Sequence, residues 1–219
     1  MPGKLLTEEG LRKDLSYLLK GIDCHEVLST ICPPRDDLSI LEPGCGSGKL
    51  GLWYAIRECT VTLLDIDQQA LDYAQALYHR AEAEGSWFRR APTFLRASIH
   101  KIPFLDGQFD FVFNEGVPHH WGYNPRDLRR QRAINEMVRV TTKGGYVAVI
   151  GSNALCPDTV TMAESTSHTY PGMPAKQKPF TPDELRSRLI RAGLSNIHVQ
   201  PVGSTFADSR LLVGWGKKA

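Results

Sequence analysis

A glycine-rich segment at residues 41–48 has the sequence Leu-Glu-Pro-Gly-Cys-Gly-Ser-Gly. An apolar run at 38–41 predicts a buried strand before it, and a helical pattern follows it from about Gly48 to Glu58. Glycines let the backbone turn sharply and approach a ligand closely, and the N–H groups at the start of a helix face that ligand. A strand, a glycine turn and a helix in this order predict a nucleotide-binding α/β fold.

Strand and helix patterns alternate along the rest of the chain. The predicted strands lie at 38–41, 60–64, 93–96, 109–113, 146–150, 197–200 and 211–215. This alternation predicts one α/β domain over residues 1–219, a Rossmann-like seven-stranded, mostly parallel sheet with helices on both faces. Because only a short linker separates the last two strands, we expect them to form an antiparallel C-terminal edge.

Two segments lie outside this alternation. Residues 7–31 carry leucines at helical spacing that Gly21 interrupts, so residues 1–34 are expected to form a helical cover. Between 152 and 180 the periodicity fails and four prolines occur, which is typical of a lid or substrate loop; a disordered surface loop is the alternative. The candidate pocket-lining residues of this segment are Met162, His168, Tyr170 and Met173.

Composition narrows the class of protein. A net charge of +2 does not argue for nucleic acid or an anionic membrane as the partner. No stretch approaches the ~20 apolar residues of a spanning helix, and the N-terminus shows no signal-peptide pattern. Five cysteines, an odd number without a Cys-x-x-Cys pair, predict neither a disulfide framework nor a zinc site. We therefore expect a cytoplasmic protein with reduced cysteines.

Three nucleotide-binding interpretations of the glycine turn compete. A phosphate-binding loop needs Lys followed by Ser or Thr, whereas Leu50 follows Lys49. A dinucleotide fingerprint, Gly-x-Gly-x-x-Gly, does match residues 46–51, and it leaves an NAD-dependent oxidoreductase open. Glu42 favours a third ligand. An acid two residues before the first glycine is poorly placed for a pyrophosphate but suits the cationic sulfonium and amino groups of S-adenosylmethionine (SAM).

A second acid, Asp65, ends the second predicted strand, about 20 residues after the turn, where an acid can accept hydrogen bonds from ribose hydroxyls. Dehydrogenases and methyltransferases share this feature, so it supports a nucleoside ligand without separating the two classes. Asp67, two residues later, is interpreted as the cap of the next helix.

With these residues the chain resembles the class I SAM-dependent methyltransferase superfamily. Residues 41–48 resemble its first motif, Glu/Asp-x-Gly-x-Gly-x-Gly, and residues 64–67 resemble its second-strand acid. Ile-Pro-Phe at 102–104, followed by Phe-Asp-Phe-Val-Phe at 109–113, is similar to the small-molecule branch, of the kind found in ubiquinone and menaquinone biosynthesis. Lys-Gly-Gly at 143–145 resembles the turn into the fifth strand, and the likeness covers roughly residues 38–219.

The resemblance implies an enzyme with SAM as its cofactor and S-adenosylhomocysteine as the product. Glu42 would hold the methionine end, directly or by fixing the loop, and Asp65 would bind the ribose. The other implied cofactor contacts are Gly44, Gly46, Gly48, Ile66, Ser98, Ile99 and Asn114. Ser98 departs from the family pattern, because relatives often carry an Asp there that contacts the adenine amino group.

The segment after the fourth predicted strand carries the candidate catalytic residues. Because the carboxyl ends of parallel strands face the ligand crevice, Asn114 and Glu115 should lie near the methyl group. His119 and His120 are the best general-base candidates, since imidazole titrates near neutrality. Adjacent side chains in a loop diverge, so we expect at most one to face the substrate; the alternative is that a histidine caps or packs the next helix. Their spacing predicts no metal site.

A basic run lies on the next predicted helix, which starts at 124–127 and extends to about Val140. Its members are Arg126, Arg129, Arg130 and Arg132. We interpret them as a solvated face paired with Asp127 and Glu136; an anionic substrate or RNA is the alternative. The Asn/Asp-Pro-Pro-aromatic motif of amino-directed nucleic-acid methyltransferases is absent at Asn114.

The sequence therefore favours SAM-dependent methyl transfer to a small-molecule nucleophile by in-line displacement, in which holding the reactants in position supplies much of the rate enhancement. A non-catalytic SAM-binding or partner protein and an NAD-dependent oxidoreductase are the alternatives. The sequence leaves the oligomeric state, the substrate and the methylated atom open.

Overall fold

The computed structural model describes residues 7–121, 128–165 and 177–219. The helices are α1 (Glu8–Lys20), α2 (Asp23–Ile31), α3 (Lys49–Ala55), α4 (Gln68–Ala83), α5 (Arg129–Val140), α6 (Pro157–Ser165) and α7 (Pro182–Arg191), with a 3₁₀ turn at Pro118–His120. The strands are β1 (Ser39–Pro43), β2 (Thr60–Asp65), β3 (Thr93–Arg96), β4 (Phe109–Glu115), β5 (Thr141–Ser152), β6 (Leu194–Pro201) and β7 (Leu211–Lys218). They are ordered β3-β2-β1-β4-β5-β7-β6. The predicted Rossmann-like, mostly parallel sheet with an antiparallel C-terminal edge is confirmed.

The chain divides into two compact units, and the first covers the described residues up to Ile99. In it β1 pairs in parallel with β2, and β2 pairs in parallel with β3. Helix α1 packs against α3 and α4. The N-terminal helical segment breaks at Gly21, as the leucine pattern predicts, and Asp67 caps α4 by accepting a hydrogen bond from the N–H of Gln69.

The second unit covers the described residues from His100 onward. Here β4 and β5 are parallel, whereas β5 and β6 each pair antiparallel with β7. Most side chains of β4 and of the second half of β5 are buried, as expected for continuous apolar strands covered on both faces. Thr181 caps α7 and Pro182 takes its first position, as the capping pattern predicts.

Strand β5 is longer than the sequence predicts. The sequence predicts a strand over 146–150 preceded by a glycine turn, but the strand begins at Thr141 and includes the glycines. An irregularity in the pairing with β4 accommodates the extra residues. A Cβ on Gly145 would lie 2.6 Å from the carbonyl oxygen of Asp110, so the close approach of the two backbones requires glycine.

The segment 152–180 contains more regular structure than predicted, because α6 occupies 157–165. Pro157 takes the first helical position and Asp158 lies in the first turn, both of which favour a helix start. Residues 166–176, with His168, Tyr170 and Met173, lie outside the described part of the chain, as do the side chain of Met162 and the predicted helix start at 124–127. The assignment of a lid and that of a single domain both stay predictions.

None of the helices in the described ranges is long and apolar enough to cross a membrane. All five cysteines are buried and carry free thiols. Cys45 lies within the glycine-rich turn, where the charges of Glu42 and Asp65 act on its thiol.

Candidate functional site

The glycine-rich turn after β1 adopts a conformation that needs glycine. Gly44, Gly46 and Gly48 have φ angles of 75°, 53° and 70°, in the left-handed region that costs other residues roughly 1–2 kcal/mol. The N–H groups of Gly44 and Cys45 both donate to the carbonyl oxygen of Leu64, at 2.6 and 3.0 Å. Backbone hydrogen bonds therefore hold the turn against the end of β2.

Asp65 lies at the end of β2 and anchors the same turn through its side chain. Its Oδ2 accepts the N–H of Gly46 at 3.0 Å, and its Oδ1 accepts the N–H of Asp67 at 2.9 Å. Burial raises the pKa of Asp65 above its ordinary value, although the two N–H groups act in the opposite direction. Further hydrogen-bond donors, such as the hydroxyls of a ribose, would favour the charged form.

Glu42 lies at the carboxyl end of β1 and holds the turn from its other side. Its side chain is almost completely buried, and Oε2 accepts the N–H of Gly51 in α3 at 2.8 Å. A Cβ on Gly51 would lie 2.7 Å from this oxygen and 2.4 Å from Leu63, so the contact depends on glycine there. Of the two roles considered for Glu42, this hydrogen bond favours fixing the loop.

The two carboxylates act on the same short stretch of chain. The pKa of the Cys45 thiol is held well above its ordinary value, first by burial and then by the negative charges of Glu42 and Asp65. Both acids also accept N–H groups of the turn or of the helix that follows it. The structure thus brings Glu42 and Asp65 together around the glycine turn, as the sequence predicts.

Three further predicted cofactor contacts lie in the first unit. Ile66 follows Asp65 and is 44% exposed, so its side chain is accessible to a ligand. Ser98 and Ile99 lie after β3, where Ile99 is buried and Ser98 is half-buried. Ligand contact by these three residues stays a prediction.

His25 is a residue near the turn that sequence reasoning missed. Its Nδ1 accepts the N–H of Ile22 at 2.9 Å, its Nε2 lies 3.3 Å from the carbonyl oxygen of Lys49, and its ring stacks on Trp53. Lys49 directly follows Gly48, so His25 connects the start of α2 to the end of the glycine turn. Burial lowers its pKa to about 4.

We expect this histidine to make the protein less stable in weak acid. Below pH 6.5 the unfolded chain takes up a proton at this side chain, whereas folded His25 stays neutral down to about pH 4. The contribution to the free energy of unfolding is complete above pH 6.5 and falls by the order of 3 kcal/mol toward pH 4. Urea unfolding of wild type and His25→Asn between pH 7.5 and 4.5 should show a flatter dependence in the variant; parallel curves would contradict this.

In the second unit, β4 extends two residues beyond its predicted end, so Asn114 and Glu115 lie on the strand itself. Asn114 is fully buried, and its Oδ1 accepts the N–H of Val117 at 3.2 Å. This hydrogen bond closes the turn between β4 and the 3₁₀ turn that carries the histidines. Glu115 is half-buried at the end of the strand.

The ring of His119 is held by the end of β5. The backbone N–H of Ser152 donates to Nδ1 at 3.1 Å, and the Oγ of Ser152 lies 3.2 Å from the same nitrogen and donates to Gln177. Burial, followed by the neighbouring His120 and Arg130, holds the pKa of His119 well below its ordinary value. A neutral ring whose Nδ1 accepts a backbone N–H carries its proton on Nε2. His119 is therefore arranged as a hydrogen-bond donor.

His120 lies beside it in the 3₁₀ turn and is also buried. The two ring centroids are 4.8 Å apart with a tilt of 53°. The expectation that the two side chains diverge is therefore wrong, because the 3₁₀ turn brings the rings into contact.

Comparison with known proteins identifies the family. The methyltransferase domain family matches residues 41–149, from the glycine-rich turn to the middle of β5. These residues carry a methyltransferase domain, and the chain has the fold of the class I SAM-dependent methyltransferases. Two solved structures share the fold of this methyltransferase. A SAM-dependent methyltransferase from Archaeoglobus fulgidus has a TM-score of 0.67 and 12% identity, covering 93% of this chain and 97% of that one. Magnesium protoporphyrin IX methyltransferase from Synechocystis PCC 6803, with bound S-adenosylhomocysteine, has a TM-score of 0.63 and 18% identity, covering 95% and 86%.

A curated relative of this methyltransferase aligns over most of the chain. Malonyl-(acyl-carrier protein) O-methyltransferase of Salmonella typhimurium is 27% identical over 188 residues, which are 84% of this chain and 65% of that protein. The chain spans about half to two thirds of the length of the first curated relatives it matches. The resemblance to the superfamily is confirmed.

Among the described members of the basic run, Arg130 differs from its prediction, while Arg126 and the predicted partner Asp127 lie outside the described residues. Arg129 and Arg132 are exposed, and Arg132 donates to the carbonyl oxygen of His100. Arg130 is completely buried, so the interpretation of a fully solvated face is wrong for this residue. Its signal was available, because Arg130 lies three and seven residues before the buried Ala133 and Met137 and so falls on the apolar face of α5.

The segment 102–104, which carries the small-molecule branch motif, is held by α5. The N–H of Ile102 donates to Glu136 at 2.8 Å, and Arg139 donates to the carbonyl oxygens of Ile102 and Phe104. Glu136 also pairs with Arg139. The contacts that the structure gives for this motif are therefore with side chains of α5.

Proposed function

We propose that this methyltransferase transfers the methyl group of SAM to a small-molecule nucleophile by in-line displacement, leaving S-adenosylhomocysteine. The observation that carries the proposal is the pair of buried carboxylates, Glu42 and Asp65, on one glycine turn. Two negative charges so close to each other favour a ligand that is itself a cation, such as a sulfonium with an amino group.

The residues around the turn fit SAM. A Cβ on Gly46 would meet no atom of the described residues within 4 Å, so there is open space beside Gly46. Asp65 would accept the ribose hydroxyls, Ile66 would pack on the adenine, and Glu42 would keep the turn in shape through Gly51. SAM supplies the electrophilic methyl group when bound, so the protein mainly has to orient the nucleophile.

Three residues of the second unit are the candidates for handling the methyl acceptor. His119 carries its proton on Nε2 and would donate a hydrogen bond to an oxygen of the methyl-accepting substrate. This hydrogen bond would orient the substrate. His120 and Glu115 are the candidate general bases for a nucleophile that must lose a proton. Asn114 would support these residues by closing the turn after β4.

The substrate class narrows to two candidates. The motif at 102–104 favours an acceptor of the ubiquinone/menaquinone-like branch. The named curated relatives include O-methyltransferases of malonyl-(acyl-carrier protein), which favours an acidic acyl group instead. In both cases the acceptor is a small molecule or a small group on a carrier.

The proposal is tested by binding and by product formation. Calorimetric titration should give saturable heat with SAM and with S-adenosylhomocysteine, and none with NAD. Incubation with SAM and representative quinols, phenols and acyl thioesters should add the mass of one methyl group to one acceptor class. If neither SAM nor S-adenosylhomocysteine gives heat, the proposal fails. Binding without methylation of any acceptor class would favour the non-catalytic alternative.

The catalytic roles are separated in the same assay. His119→Ala and His120→Ala should each lower kcat by tenfold or more, on the order expected for general acid–base or orienting groups, with little change in SAM affinity. Activity equal to wild type in both variants would remove the histidines from the site.

A further inference from the structure

Arg130 is an unusual residue for a protein interior. It is completely buried on α5, and its side chain makes several contacts within the second unit. Nε donates to the carbonyl oxygen of Pro118 at 3.0 Å, and Nη2 contacts the carbonyl oxygens of His119 at 3.4 Å and Lys178 at 2.5 Å. Nη1 pairs with Glu184 at 2.8 Å. Its guanidinium thus binds the backbone of the histidine turn itself.

These contacts converge on His119. Arg130 holds the carbonyl oxygens before and at this residue, and the N–H of Lys178 donates to the same His119 carbonyl at 2.7 Å. Ser152 holds the ring through Nδ1. The backbone and the imidazole of His119 are therefore fixed from three separate parts of the second unit.

The partners of Arg130 are themselves well held. Glu184 lies in the first turn of α7, accepts hydrogen bonds from both Arg130 and Arg188, and its backbone N–H donates to Thr181. The guanidinium also lies over the ring of Phe180, with Cζ 4.0 Å from the centroid. That ring packs so closely on β5 that a Cβ on Gly151 would lie 2.7 Å from it.

A buried ion pair is by itself weak evidence for stability, since replacing both partners with apolar residues of similar volume is often neutral or stabilising. Replacing Arg130 alone is a different change, because it removes the donors to Glu184 and to three carbonyl oxygens. What a methionine at 130 would lack is the set of planar N–H donors that reach three carbonyl oxygens and one carboxylate at once. We therefore expect arginine at this position to place the chain segments that carry those carbonyl oxygens.

We propose that Arg130 is a positioning residue that sets the location of His119 by holding the carbonyl oxygens of Pro118, His119 and Lys178 in one arrangement. The proposal deepens the proposed function, since it assigns the orientation of the acceptor-binding His119 to a residue that need not touch the substrate. It also removes Arg130 from the candidates for binding an anionic substrate or RNA, because its donors are directed to the protein.

The experiment compares Arg130→Lys and Arg130→Met with a matched control, Arg132→Met, on the same helix. Arg132 is exposed and its side chain contacts one backbone carbonyl. Each variant is assayed for SAM affinity, kcat and acceptor KM, and ¹⁵N-histidine-labelled protein reports the ring nitrogens of His119 by NMR. His119→Gln assigns the signal.

Misplacing a reacting group by the order of 1 Å can lower the rate by up to about 100-fold. We therefore expect Arg130→Met to lower kcat by about tenfold or more, Arg130→Lys to recover part of that loss, and SAM affinity to stay within about twofold of wild type. The His119 signal should shift in both Arg130 variants and stay unchanged in Arg132→Met.

An unchanged His119 signal in either folded Arg130 variant would overturn the proposal, and so would unfolding of both. The NMR measurement needs no substrate. If wild type methylates nothing while the His119 signal still shifts in the Arg130 variants, the proposed function fails and the positioning role stands.

Discussion

Asp65→Ala is expected to weaken SAM binding by at least about 100-fold. The carboxylate would lose two charge-assisted hydrogen bonds to ribose hydroxyls, each contributing roughly 1.5–3 kcal/mol, and every 1.4 kcal/mol is about tenfold in affinity. The substitution also removes the acceptor for the N–H of Gly46, so the turn loses one of its anchors. Calorimetric titration with SAM and S-adenosylhomocysteine measures the effect.

Two further variants separate the charge from the shape of Asp65. Asp65→Asn keeps one carbonyl oxygen as an acceptor but loses the charge, so its affinity should lie between those of wild type and Asp65→Ala. Asp67→Asn is the matched control, because Asp67 caps α4 and asparagine caps helices equally well. If folded Asp65→Ala binds SAM like wild type, the acid does not hold the ribose.

Gly46→Ala and Gly48→Ala are expected to fail in different ways. Both residues have left-handed backbones, so alanine costs each about 1–2 kcal/mol. At Gly48 the new methyl group would also lie 3.0 Å from both Ala74 and Leu63, which adds roughly 1–3 kcal/mol of overpacking. For a chain of this size we expect Gly48→Ala to lower Tm by about 5–15 °C.

At Gly46 the same methyl group would meet no atom within 4 Å in the part of the chain that the structure describes. Gly46→Ala should therefore lower Tm by less than Gly48→Ala, and yet weaken SAM binding by at least about tenfold, because the methyl group enters the space proposed for the ligand. Thermal melts and titrations of the two variants give a direct comparison. Wild-type SAM affinity in Gly46→Ala would mean that the ligand lies elsewhere.

The local signals in this sequence predicted the sheet and the turn well. Three glycines lie between a strand and a helix, with an acid at Glu42 and another at Asp65, and the structure brings these residues together as expected. The cap at Asp67 and the break at Gly21 also follow from short-range chemistry. Because the cap and the break depend on neighbours in the chain, the sequence carries these two features directly.

The arrangement around His119 could not be predicted in the same way. It depends on contacts between residues far apart in the chain, namely Arg130, Ser152, Lys178 and Glu184. The basic run is interpreted as a solvated face unless the apolar period of α5, on which Arg130 falls, is taken into account. His119 is interpreted as a general base as long as the hydrogen-bond partner of its Nδ1 is not known. The ligand contacts of Ile66, Ser98, Ile99 and Asn114 stay predictions.

The carbonyl oxygen of Leu64 receives two N–H groups of the glycine turn, and Leu64 directly precedes Asp65. The protein's own hydrogen bonds therefore join the bend to the acid before any ligand is bound. Binding of a nucleoside to this preorganised turn would therefore cost the protein little conformational entropy. More of the free energy of the nucleoside's contacts would then appear as binding affinity.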